Sequence, residues 1–377
     1  MKKALVVGGG NGIGLSLALT LIKKGYYKVY VVDKNEPPIE SEKIHFIKTN
    51  LLNEDFEVLN LADDIDTLII TAGFGRLALF ENLSTAEITS LIKVNLTATI
   101  RIIKHFYPKI KSNSNFFTAV ISSIAGHLAS PFFSVYGASK SGVSAFIENI
   151  NAELMAEGFE NRILDVSPGS IKGTAFNGGK TDLTSLENLA NEILNNLFLR
   201  KTIFIPHYNE VYKNVLLRYQ QNPSDFGTQS YHYKKQNADI LEKSALSIGY
   251  LSGTFDLFHI GHLNLLKRAK NNCDFLIVGV HKSGEWKGKK TFIPFEERKE
   301  IVKSVRYVDR AVEAFKEDTD AFDKYKYNKL FVGSDYEGSE RFKRYEKFFK
   351  GKNVEIIYFP YTKTTSSTEL RKAITDV

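Results

Sequence analysis

The sequence predicts two α/β domains in series, each a parallel sheet covered by helices on both faces. Short β-branched runs alternate with helical patterns along most of the chain. Two of those runs, one before Gly8 and one before Gly253, pass through a glycine-bearing turn into a helix. A polar stretch, residues 220–235, separates the two series and looks like a domain end or a linker. Length agrees: 377 residues, at about 150 per domain, leaves room for two.

The first series opens with Ala4-Leu5-Val6-Val7, a buried parallel strand, then glycines and a helix over 12–24. Strands follow at 28–33, 44–48 and 67–70, a helix at 91–107, and strands at 117–121 and 163–166, the last stopping before Pro168-Gly169. The second series has strands at 248–251, 275–280, 329–332 and 354–358, with helices at 260–269 and 294–304. The expected division is a first domain over 1–232, a linker over 233–246 and a smaller domain over 247–377. Glycine spacing and polar residues differ between the two openings, so they are not a repeat.

Composition narrows the function. Hydrophobic residues are 43% and charged residues 25%, the mixture of a globular chain. A single cysteine, Cys273, excludes an intramolecular disulfide and a Cys-rich zinc site. The net charge of +7 favours anionic ligands, yet Lys+Arg 50 against Asp+Glu 43 is a mixed surface and not a basic tail. Without a groove-binding motif, nucleic acid is not an expected partner. No apolar run reaches the roughly 20 residues of a membrane span. Met1-Lys2-Lys3 imitates a signal peptide, but its apolar stretch runs straight into Gly8, so the cytoplasm is expected.

Gly8-Gly9-Gly10-Asn11-Gly12-Ile13-Gly14 lies where the first strand hands over to a helix. Glycines there let a pyrophosphate approach the backbone, and the helix N-terminus supplies N–H groups and positive dipole. Asp33 ends the second strand 19 residues after Gly14, where a carboxylate can accept ribose hydroxyls. It would repel a 2′-phosphate, so NAD is favoured over NADP, although Lys34 could pair with that phosphate. Tyr136 and Lys140 stand at i and i+4, on one helix face. The cation should lower the phenol's pKa and ready it as a general acid or base. Ser123 can hydrogen-bond a substrate oxygen, and Asn95 can hold a water or backbone group that relays protons to Lys140.

These residues together resemble the short-chain dehydrogenase/reductase family. Its TGxxxGxG turn corresponds to Val7 through Gly14, with Val7 in place of Thr, and its NAG segment to Thr71-Ala72-Gly73. The Asn-Ser-Tyr-Lys tetrad falls on Asn95, Ser123, Tyr136 and Lys140. The Pro-Gly segment bordering the nicotinamide falls on Pro168-Gly169-Ser170-Ile171, with Thr174 one place later than usual. The resemblance implies a Rossmann sheet, hydride transfer at a carbonyl or alcohol, and cofactor contacts from Gly8, Asn11, Gly12, Ile13, Gly14, Asp33, Ala72, Gly73, Lys140, Pro168, Gly169 and Ile171. The substrate lid is expected over 169–186, where Lys172 and Lys180 either meet an anionic substrate or are solvated. His127 and Ser134 flank the site.

In the second series, His259 and His262 follow Gly253-Thr254-Phe255-Asp256 at a strand-to-helix junction. Two imidazoles three positions apart can reach triphosphate oxygens. A zinc site needs a third ligand, and no spacing presents one. Asp256 can instead place Mg²⁺ on a triphosphate. Arg298 opens a helix from which it could reach back to phosphate, and Thr365-Ser366-Ser367-Thr368 offers hydroxyls at another helix start. Lys287, Lys289 and Lys290 form a charge run.

This half resembles the glycerol-3-phosphate cytidylyltransferase family through GTFD, HxGH, Glu297-Arg298-Lys299, Arg306 to Asp309, Gly333 to Gly338 and the hydroxyl run. The resemblance implies a smaller Rossmann-like domain, CTP contacts from Gly253, Thr254, Phe255, His259, His262, Arg298 and Thr365 to Thr368, and roles for Lys287 and Lys289 in placing both substrates. Tyr361-Thr362 and Thr364 depart from the usual Arg-Thr and Gly, which points to a different acceptor pocket. The joint expectation is reduction of a ketose phosphate, ribulose 5-phosphate first among them, then CMP transfer from CTP to give a CDP-alditol such as CDP-ribitol for a surface polymer. CDP-glycerol, another CDP-pentitol, an unrelated reductase substrate and a scaffold role are the alternatives. A homodimer or homotetramer is expected.

Overall fold

The computed structural model describes residues 2–52, 56–174, 176, 181–237, 246–283 and 291–360. The chain divides into two compact units, Met1–Lys243 and Ser244–Val377.

The first unit begins with β1 (Lys3–Val7), α1 (Gly12–Lys23), β2 (Lys28–Asp33), β3 (Ile44–Lys48) and β4 (Thr67–Ile70). Next comes α2 (Thr85–Ile92), capped by Ser84: its hydroxyl accepts the Glu87 N–H, while the Glu87 carboxylate accepts the Ser84 N–H at 2.8 Å. A π-helical turn, Lys93–Ala98, joins α2 to α3 (Thr99–Ile110). The expected helix over 91–107 is therefore interrupted at Asn95. Then follow β5 (Phe117–Ile121), the long α4 (Ser134–Ala156), β6 (Ile163–Val166), α5 (Leu183–Phe198) and a two-residue β7 (Ile203–Phe204).

All pairings are parallel, in the order β3-β2-β1-β4-β5-β6-β7. Alternation along each strand divides the core between the two faces. Leu5, Val7, Leu68, Ile70 and Val120 pack with Ile102 and Phe106 of α3 and Val143 and Ile147 of α4. Ala4, Val6, Ile69, Ala119 and Leu164 face Leu17 and Leu21 of α1 and Ile193 and Leu197 of α5. The strand order reverses between β1 and β4, so the chain ends diverge there and leave a crevice at the carboxyl ends of the strands.

The polar stretch read as a domain end or linker is helical: α6 (Lys213–Gln221) and α7 (Pro223–Asn237). Tertiary contact overrides its weak periodicity. Tyr231 stacks on Phe132 with centroids 5.3 Å apart, and Lys234 donates to the Ser130 hydroxyl at 2.8 Å.

The second unit holds β8 (Ile248–Gly253), α8 (Ile260–Asn271), β9 (Phe275–Val280), α9 (Phe295–Lys303), β10 (Arg310–Glu313), α10 (Asp318–Tyr325), β11 (Lys329–Gly333), α11 (Glu340–Phe349) and β12 (Glu355–Phe359). Of these, β10, α10 and α11 were not expected. The parallel order is β10-β9-β8-β11-β12. β8 pairs with β9 up to Gly253 but with β11 only at Gly249 and Tyr250. The two central strands thus part before their ends, and a second crevice opens where Gly253 begins its turn. Among the described residues no helix is long and apolar enough to cross a membrane.

Candidate active sites

In the first crevice the glycine turn is packed against the end of β4. Gly8 has φ +88°, and a Cβ there would lie 2.4 Å from the Ala72 nitrogen; one on Gly14 would lie 2.3 Å from the Gly8 oxygen. Only glycine fits either place. The Asp33 carboxylate accepts the N–H groups of Gly10 at 2.9 Å and Asn35 at 3.0 Å, fixing the end of β2 to the turn. Helix α1 starts at Gly12 behind Asn11, with no side-chain cap and no acidic residue in its first turn, and Ile13 packs on the core below. The Thr181 hydroxyl accepts the Gly12 N–H at 3.1 Å, and Thr174 stands over Gly12, its hydroxyl donating to the Ile171 carbonyl at 3.1 Å.

Asn95, Ser123, Tyr136 and Lys140 converge beside this turn. The π-turn directs Asn95 inward, where it is wholly buried. Its Oδ1 accepts the Phe74 N–H at 3.0 Å, and its Nδ2 donates to the Phe74 carbonyl at 2.9 Å and the Ser139 hydroxyl at 3.0 Å. Gly73 lies between two tetrad members: a Cβ on it would stand 3.1 Å from Lys140 Nζ and 3.2 Å from Asn95 Oδ1. Lys140 Nζ donates to the Ile121 carbonyl at 2.8 Å, and burial pushes its pKa down to about 8 against the pull of Asp165. Ser123 hydrogen-bonds the Tyr136 phenol. The Pro168 carbonyl accepts the Ile124 N–H at 2.9 Å, and Gly169 abuts the Tyr212 phenol.

One expectation is corrected here. Burial holds the Tyr136 phenol above its ordinary pKa, and only the Ser123 bond lowers it. The phenol loses hydration in an aromatic enclosure with Phe133 and Phe176, and the Lys140 ammonium, 5.9 Å from the ring centroid, is bonded to a carbonyl.

In the second crevice the turn after Gly253 is strained: Phe255 has φ +52° and Leu257 φ +48°. His259 caps α8, its Nδ1 accepting the Gly261 N–H at 3.0 Å, and His262 Nδ1 faces the His259 N–H at 3.4 Å. With each Nδ1 accepting, each neutral ring carries its proton on Nε2. The rings lie 4.0 Å apart, with Phe255 and Phe258 against His262. Burial and the neighbouring His259 push His262 down to about 3. His262 therefore offers a neutral N–H donor, not a cation.

The family model for short chain dehydrogenases matches residues 2–183, and that for cytidylyltransferase-like proteins matches residues 250–373. Carbonyl reductase family member 4 of Xenopus laevis is 30% identical over 207 residues, spanning 52% of this chain and 82% of the relative. Glycerol-3-phosphate cytidylyltransferase of Bacillus subtilis is 36% identical over 128 residues, spanning 32% of this chain and 92% of the relative. The chain belongs to both families, a short-chain dehydrogenase followed by a cytidylyltransferase. A solved short-chain dehydrogenase from Burkholderia phymatum, in complex with NAD, shares the fold of the first unit: TM-score 0.51, 19% identity, 59% of this chain and 96% of that one. The protein is thus an enzyme with reductase and cytidylyltransferase activities.

The reductase unit fits a dinucleotide on its own geometry. Asn11 does not cap α1 and its first turn carries no acid, the Gly12 N–H is met by the neutral Thr181 hydroxyl, and the glycines before it have no room for a Cβ. In the transferase unit two expectations change. Arg298 is wholly buried, donating to the carbonyls of Ile293, His281 and Lys282 at 2.8–2.9 Å and to that of Thr254. A guanidinium held by four carbonyls braces the turn and does not reach out to phosphate. Asp256 is buried, and its carboxylate accepts the N–H groups of Phe292 and Ile293 at 3.0–3.1 Å. It anchors the chain entering α9. Lys180, Lys287, Lys289 and the run Thr365, Ser366, Ser367, Thr368 lie outside the described residues.

Sequence reading missed a hydrogen-bonded chain beside the tetrad. His127 Nε2 lies 2.8 Å from the Ser167 hydroxyl, which donates to Asp165 Oδ1 at 2.8 Å. An aspartate inside the buried strand Ile163-Leu164-Asp165-Val166 was the available signal.

Proposed function

We propose that the enzyme reduces a ketose phosphate to an alditol phosphate and then attaches CMP to that phosphate. The observation that carries this reading is that one chain holds both centres. An alditol phosphate is at once the product of carbonyl reduction and an acceptor for cytidylyl transfer: reduction changes the carbonyl and leaves the phosphate as nucleophile.

The glycine turn and the α1 N-terminus would hold NAD(P)H, which would supply the hydride for the first step. Tyr136 gives its proton to the carbonyl oxygen, Ser123 hydrogen-bonds that oxygen, and Lys140 with Asn95 restores the proton. The raised pKa of Tyr136 keeps the phenol protonated before transfer. Asp33 supports NAD, since its carboxylate faces the turn and would repel a 2′-phosphate. In the second step an alditol phosphate oxygen attacks the α-phosphorus of CTP and pyrophosphate leaves. His259 and His262 would donate through Nε2–H to the phosphates, and a bound Mg²⁺ would offset the charge of the triphosphate. Thr365 to Thr368 are assigned to the CTP phosphates, and Lys287 and Lys289 to the placing of both substrates, from sequence.

Ribulose 5-phosphate to CDP-ribitol is the leading case. Dihydroxyacetone phosphate to CDP-glycerol is favoured by the acceptor in the name of the Bacillus subtilis relative. Purified enzyme with NADH or NADPH, CTP and Mg²⁺ is tested against ribulose 5-phosphate, xylulose 5-phosphate and dihydroxyacetone phosphate. Absorbance follows the reduced cofactor and mass spectrometry the product. A ketose phosphate that gives both oxidation and a CDP-linked product names the substrate. Transfer to preformed alditol phosphates without any ketose reduction overturns the sequential reading.

A further inference from the structure

We propose that Lys234, on α7, binds the phosphate of the reductase substrate and so selects phosphorylated over unphosphorylated ketoses. The proposal rests on the ketose-phosphate reading above. Residues 223–237 lie outside the stretch matched by the short chain dehydrogenase model, and the helix they form is laid along residues 129–133, just ahead of Tyr136. Tyr231 stacks on Phe132, and Gly227 approaches Ala129 closely enough that a Cβ would touch its methyl at 3.5 Å. This places Lys234 Nζ 5.3 Å from the centre of the Phe133 ring, which lies 5.4 Å from the Tyr136 ring. Phe176 closes the same enclosure, 5.3 Å from Tyr136.

The ammonium is half-buried among aromatic rings and hydrogen-bonds two neutral oxygens, Ser130 Oγ at 2.8 Å and the Pro131 carbonyl at 3.0 Å. Among the described residues no carboxylate pairs with it, and desolvation alone pushes its pKa down to about 8. Two of three donors are occupied, which leaves one for an incoming anion. A desolvated cation without a counter-charge costs stability, and a bound phosphate dianion would remove that cost. Arg76, another cation near these rings, follows Gly75, whose Cβ would meet Tyr136, and it is paired with Glu87. With the Tyr136 ring 5.4 Å and the Lys234 ammonium 5.3 Å from the Phe133 ring, the two suit a short chain with a carbonyl at one end and a phosphate at the other.

The test compares kcat/KM of the full-length enzyme for ribulose 5-phosphate and for unphosphorylated ribulose, in the native protein and in Lys234→Met and Lys234→Arg. The ratio between the two substrates should fall ~10- to 100-fold in Lys234→Met, mainly through KM for the phosphate, and recover in part in Lys234→Arg. NADH binding and thermal midpoint report whether the variants fold. An unchanged ratio overturns the proposal, as does an equal loss on both substrates, which would mark Lys234 as a brace for residues 130–131. If the native enzyme reduces no ketose phosphate, the ketose-phosphate reading falls separately. Titration calorimetry with inorganic phosphate then decides about Lys234: binding lost in Lys234→Met upholds an anion site, and equal binding removes it.

Discussion

The Thr71 hydroxyl, at the end of β4, lies 2.9 Å from the Gly8 carbonyl oxygen and 3.2 Å from that of Val7. It ties the two strands that flank the crevice at the point where the glycine turn begins. The family pattern has Thr where this chain has Val7 and Asn where it has Thr71. Thr71→Val should weaken NADH binding several-fold and cost about 1 kcal/mol of stability. Fluorescence titration and urea melts check both. Thr71→Asn combined with Val7→Thr should recover most of the loss.

Lys140 sets reductase function against stability. Its pKa is about 8 in the folded chain, below the ordinary 10.5, because burial disfavours the ammonium. Between those values the unfolded chain binds more protons, so this group's contribution to stability rises with pH. Below pH 8 the full cost is present. Lys140→Met should therefore raise the thermal midpoint near pH 7, by a margin that shrinks to nothing above about pH 10.5. Reduction should fall ~100-fold or more while cytidylyl transfer continues. Melts across pH, paired with the two activities, test this.

The histidine pair should show no titration of its own from His262 near neutrality. With that ring held near pKa 3, kcat/KM for CTP should lack an inflection traceable to His262 between pH 5.5 and 8. His262→Gln, whose amide keeps one N–H, should retain more transfer activity than His262→Ala. Equal loss in both would show that ring shape, not the N–H donor, is what matters.

Arg298 should behave as a brace. Arg298→Met strands four backbone carbonyls, that of His281 fully buried and the others partly so, and should destabilise the second unit by about 3 kcal/mol. Arg298→Lys can satisfy only some of them and should be nearly as damaging. A variant that melts normally but has a greatly raised KM for CTP would return Arg298 to the phosphates.

Motifs that depend on local chemistry were legible in the chain. Gly8 to Gly14 marks a tight turn because only glycine tolerates the approach of Ala72 and the Gly8 carbonyl. Tyr136 and Lys140 are four residues apart on α4, so one helix face carries both. The elements missed were those whose pattern is set by partners distant in sequence. α7 has almost no periodicity, yet it folds because Tyr231 finds Phe132 and Lys234 finds Ser130, a hundred residues away. Asn95 reads as a site residue on a continuous helix over 91–107, and the π-turn that directs it into the core is not legible in the spacing.

The sequence by itself determined the two α/β units, the glycine turns that open them and the residue types at both centres, because strand alternation, helix spacing and glycine geometry act over a few residues. Tertiary structure alone decided the charge state and duty of those residues. Burial raised Tyr136, lowered Lys140 and neutralised His262, and backbone carbonyls drew Arg298 inward. Desolvation and hydrogen-bond satisfaction depend on everything packed around a group, which linear spacing does not record.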